Sequence, residues 1–83
     1  MRFAYVYFMT DDPDRVRRVA PDHAAYWREL HLDGYQGGPF ADRSGGLIIF
    51  AAESAEYADQ LVGGDPFVRE ELLKDRWVKQ WNA

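Results

Sequence analysis

The chain has 83 residues and no cysteine, so we expect one domain (1–83) with no disulfide, thiolate metal site or cysteine nucleophile. Apolar residues make up 47% and charged residues 29%, the balance of a globular chain and not of a disordered one. A net charge of −4, with "RVRR" at 15–18 as the one basic cluster, argues against a nucleic-acid surface. Nothing approaches the ~20 apolar residues of a membrane span, and "MRFAYVYFMT" does not read as a signal peptide, so a cytoplasmic protein is the expectation.

"RFAYVYFM" (2–9) is β-branched and aromatic on both alternations. Phe3, Tyr5, Tyr7 and Met9 point one way, and Ala4, Val6 and Phe8 the other. A strand apolar on both faces is covered on both, so this one is expected in the middle of a sheet. "DDPD" (11–14) starts a helix, with Asp12 as N-cap and Pro13 at N1. Pro21 is expected to break or kink it, since the residue before proline is pushed out of the helical region, and to open a second piece that Gly34 ends. "YQGGPF" (35–40) reads as a short bent strand, "ADRSGG" (41–46) as a hairpin connection and "LIIFAA" (47–52) as a buried strand. Ser54 caps a helix through Val62, which Gly63 and Gly64 stop. "DPFVREELL" (65–73) allows one or two helical turns, and "DRWVKQW" (75–81) alternates as a last strand.

The order β-α-β-β-α-β is the ferredoxin-like arrangement of the α+β class, an antiparallel sheet with its helices on one face. Aromatics at 16% of the chain suit a ligand pocket or a subunit interface. The sheet face without helices carries aromatic side chains, and we expect a second copy to cover it in a homodimer.

His23 falls in the first turn of the expected second helical piece, in line with Trp27 and Leu30. There the positive end of the helix dipole favours a neutral imidazole, which is the form of a general base. Read alone, it is as readily a polar residue at the edge of the core. Asp65 precedes Pro66 and caps the short helix after it; a carboxylate can cap with one oxygen and hold an imidazole N–H as well. His31, before the helix end, is read as structural or exposed. Two histidines with no carboxylate at ligand spacing make no metal site. Tyr5 and Tyr7 can place a hydroxyl in a cavity but read as packing, the usual role of strand aromatics, and Trp77 and Trp81 read as interface or core.

"HAAYWRELHLDG", "GGPFADRSGG", "LIIF" and "DPF" together resemble the YciI-like (YCII-related) family, over about residues 2 to 81. The resemblance implies a dimeric α+β barrel similar to muconolactone isomerase, with a His–Asp site falling on His23 and Asp65. One relative dehydrochlorinates a chlorinated hydroxyhydroquinone. The function then expected is lyase or isomerase chemistry on a small aromatic or cyclic substrate, without cofactor, with Trp27, Phe40 and Phe67 as cavity walls. Two other functions fit the same residues: a small-molecule-binding or assembly module, and a cofactor-independent monooxygenase.

Overall fold

The computed structural model describes residues 1–83. Its elements are β1 (Arg2–Met9), α1 (Pro13–Glu29), β2 (Gln36–Pro39), β3 (Gly45–Ala51), α2 (Ala55–Gly63), α3 (Pro66–Arg69) and β4 (Leu73–Gln80). The strands form one antiparallel sheet in the order β2-β3-β1-β4, the ferredoxin-like topology expected. β1 lies inside it and alternates as its sequence requires. Phe3, Tyr5 and Tyr7 are buried under the helices, while Ala4, Val6 and Phe8 face the other way and are half-buried. Ile48 and Phe50 of β3 join the first set, and Trp27, Leu61, Val62, Phe67 and Leu72 close the core above them. No helix is long and apolar enough to cross a membrane.

The helix starts are where side-chain chemistry puts them. Asp12 accepts from the Arg15 N–H at 3.4 Å, Ser54 from the Tyr57 N–H at 3.0 Å and Asp65 from the Phe67 N–H at 2.9 Å.

The expected break at Pro21 is absent: α1 runs unbroken through it. Pro21 cannot donate to the carbonyl of Arg17. Both residues are exposed, so water replaces the lost partner. Val16, Val19 and Ala20 before the proline and Trp27 after it pack on one core, which keeps the helix continuous across it. His23 therefore lies within a long helix and not in a first turn, which removes the dipole argument made for it. The helix also stops earlier than Gly34. Leu30 is the C-cap, and His31, at φ 49°, turns the chain out through the left-handed region. His31 is exposed beyond the helix and not inside its last turn.

Candidate active site

His23 and Trp27 stand one helical turn apart on the face of α1 that meets the core. Gly63 and Gly64 end α2, and the chain drops directly into Asp65 beneath that face. Tyr5 and Tyr7 rise from β1 on the same side, ring centroids 5.0 Å apart. Donors from β1, α1 and α3 thus converge on one carboxylate.

Asp65 is fully buried, and its two oxygens accept four hydrogen bonds. Oδ1 takes the His23 ring at Nδ1 (2.8 Å) and the Phe67 backbone N–H (2.9 Å). Oδ2 takes the Tyr5 hydroxyl (3.0 Å) and the Trp27 indole N–H (3.1 Å). Every partner is a donor, and none offers an acceptor for a proton on the acid, so this is the setting of a carboxylate. The Asp65 oxygens fix the imidazole tautomer: Nδ1 carries the hydrogen, and Nε2 is left as the acceptor.

The ring is held on two further sides. Phe67 stacks on it at 4.1 Å between centroids and 20° between planes, and Tyr7 meets it edge-on at 5.4 Å. The Tyr7 hydroxyl lies 3.3 Å from Nε2, a long contact of the kind that tightens when a ligand arrives. Across the sheet Tyr7 pairs with Gly46, where a Cβ would overlap the hydroxyl and its ring carbon. Burial, and after it the charge of Asp65 and the neighbouring Tyr35, push the Tyr7 phenol up to about 12. The Tyr5 phenol is raised further, first by burial and then by Asp65.

Beside this cluster opens a cavity of about 590 Å³, within the range of small-molecule sites. Tyr7, His23, Tyr35, Ile48 and Phe67 line it, with Arg17 and Arg43 among its other residues. The His23 side chain is 12% exposed and that of Asp65 not at all, so the imidazole stands at the wall with the carboxylate behind it.

Of the residues expected to form the cavity walls, only Phe67 does so. Trp27 is fully buried behind the pair, where its N–H holds Asp65. Phe40 lies on the opposite face of the sheet, its ring 5.8 Å from that of Phe8. The reason is parity: Gly38 pairs with Leu47 on the face away from the helices, and Phe40 keeps the side of Gly38. Tyr5 and Tyr7 do more than pack: their i, i+2 spacing on the buried side of β1 puts two hydroxyls on the helix-covered face, beside Asp65 and His23. No group of three or more His, Asp or Glu side chains gathers in the chain to hold a metal ion.

Three solved structures share this fold. A 5-chloro-2-hydroxyhydroquinone dehydrochlorinase from Burkholderia phenoliruptrix, in complex with 2,5-dihydroxybenzoquinone, is 24% identical with a TM-score of 0.82, over 99% of this chain and 94% of that one. An antibiotic biosynthesis monooxygenase is 14% identical with a TM-score of 0.68, over 99% and 96%. A cofactor-independent oxygenase from Streptomyces nogalater is 11% identical with a TM-score of 0.51, over 99% and 92%. These are dimeric α+β barrel proteins, and at such identities the likeness is one of fold. Among curated proteins, none matches this chain. The model of the YCII-related domain does match, over residues 1–82, and the chain belongs to that family.

Proposed function

We propose that the protein is a cofactor-independent enzyme of lyase or isomerase type, in which His23 and Asp65 act together as general base on a small aromatic or cyclic substrate. One observation carries this reading: the 2.8 Å contact between His23 and a fully buried Asp65, at the wall of a cavity of small-molecule size. Asp65 orients the ring and stabilises the imidazolium once it forms. The proton removed from the substrate ends on Nε2. The electron pair it leaves behind can expel a leaving group, which is elimination, or collect a proton at another atom, which is isomerisation. The named substrate of the dehydrochlorinase that shares the fold, a chlorinated polyhydroxybenzene, has the size and chemistry this site suits.

The working unit in this reading is a homodimer. Val6, Phe8, Leu47 and Trp77 lie side by side by register on the face that no helix covers, and Trp77 is 46% exposed. An apolar sheet face of this kind is what a second copy would bury.

The test is turnover of 5-chloro-2-hydroxyhydroquinone and of a lactone panel. A positioned base contributes about 10²–10⁴ in rate, and His23→Ala should lose kcat/KM by that factor. Wild-type protein that binds these compounds without turnover, with unchanged binding in His23→Ala, would make the cavity a binding module. Oxygen uptake with substrate would make it a monooxygenase.

A further inference from the structure

Tyr5 and Tyr7 stand side by side on β1, yet only one of their hydroxyls is committed to the protein. Tyr5 gives its hydrogen to Asp65. The Tyr7 hydroxyl has a single protein partner, Nε2 of His23, and it lies on the cavity wall. A phenol hydroxyl has one hydrogen to donate and two lone pairs to accept with. In the neutral ring, with its one hydrogen on Nδ1 and bound to Asp65, Nε2 is an acceptor, so the Tyr7 hydrogen points to Nε2 and its lone pairs are left for the cavity. The lone pair of His23 is thus aimed at Tyr7, and what the cavity meets is an oxygen that seeks a donor.

We propose, building on the general-base reading above, that Tyr7 is the catalytic group that touches the substrate, and that the substrate presents a hydroxyl, as a phenol does, to the Tyr7 oxygen. The proton moves in two linked steps. The substrate O–H breaks, its electron pair stays on the substrate oxygen, and the hydrogen bonds to the Tyr7 oxygen. The original Tyr7 O–H breaks in turn, leaving its pair on that oxygen, and a new N–H forms at Nε2. Tyr7 ends neutral, the substrate is an anion, and His23 is an imidazolium beside Asp65. A phenol pushed up to about 12 suits this role, because it keeps its own hydrogen at neutral pH and releases it only on receiving another. Gly46 has no side chain to fill the space the hydroxyl occupies, and the rings of Tyr5 and Phe67, at 5.0 and 6.0 Å, pack against the Tyr7 ring.

The test uses diethyl pyrocarbonate, which acylates a neutral imidazole nitrogen, with mass spectrometry at each histidine and exposed His31 as the internal reference. Tyr7→Phe removes one oxygen and keeps the ring. It should speed acylation of His23 relative to His31 by about 2–10-fold, the size of one released hydrogen bond. An unchanged ratio means that Nε2 meets the cavity directly and overturns the proposal. In parallel, Tyr7→Phe should lower kcat on 5-chloro-2-hydroxyhydroquinone by about 100-fold or more. Full turnover in Tyr7→Phe with none in His23→Ala overturns the relay and leaves the general-base reading standing. Wild-type protein inert on this compound counts against the enzyme reading, and the acylation ratio then decides the placement of Tyr7 by itself.

Discussion

The two faces of the sheet are both apolar and are finished differently. On the helix-covered face no buried side-chain nitrogen or oxygen lacks a partner, and a fully buried carboxylate gathers four donors from β1, α1 and α3. On the other face the ring of Phe8 meets those of Phe40 and Trp77, Arg2 lies over Trp81 at 5.4 Å, and both tryptophans are 46% exposed. The first face is closed over by the chain's own helices, and the second is left partly exposed. Polar bonds that demand fixed geometry are therefore concentrated where the chain supplies every partner itself.

Breaking that contrast at its centre should have the largest effect. Asp65→Ala removes the acceptor for Tyr5, Trp27, His23 and the Phe67 N–H at once, and should cost about 3–5 kcal/mol in urea unfolding. That is a large share of the roughly 5–15 kcal/mol typical of a native domain. A loss below about 1 kcal/mol would mean that water serves those donors equally well.

Alkali should act next. The folded state raises the Tyr5 and Tyr7 phenols above the ordinary tyrosine value, chiefly by burial. Between pH 10 and 12 the unfolded chain has released protons that the folded chain still holds, so stability is intact below about pH 10 and falls as pH rises through about 12. Urea midpoints taken from pH 8 to 11 should hold to about pH 10 and decline above it, less steeply in Tyr7→Phe; a flat profile to about pH 11 would contradict burial of both hydroxyls.

Smaller again is the difference between the two tyrosines. Tyr5→Phe leaves Asp65 one donor short and should cost about 1–3 kcal/mol, whereas Tyr7→Phe should stay within about 0.5 kcal/mol. Equal losses would erase the distinction between a hydroxyl that holds the core and one that serves the cavity. Least of all, Trp77→Glu on the open face should change the folding of one chain by about 0.5 kcal/mol or less, yet shift sedimentation from two chains to one. Unchanged sedimentation would count against the homodimer.

The order of elements was legible because each rests on local chemistry: the two-sided apolarity of β1, the caps at Asp12, Ser54 and Asp65, and the glycines after α2. At Pro21 the local signal is overridden by packing on both sides of it, which no window of sequence contains. The pairing of His23 with Asp65 came from resemblance to a family and not from spacing. The donors around Asp65 were not legible, since the number of hydroxyls reaching one carboxylate depends on how β1, α1 and α3 meet. The face of Phe40 is not legible because β2 has no apolar alternation to reveal its parity; all four of its residues are exposed, and nearness in sequence to the motifs does not decide it.

Gly46 ties the floor of the cavity to the sheet in a way that bears on the family's history. The space a side chain would need at position 46 is occupied by the ring of Tyr7. The two positions are therefore coupled through that space. A side chain at 46 would need a smaller residue 7 and also a shift of β2, because the Gly38 carbonyl oxygen stands 2.8 Å from where its Cβ would lie. In an alignment of relatives these columns should change together, although they lie on different strands and far apart in the chain.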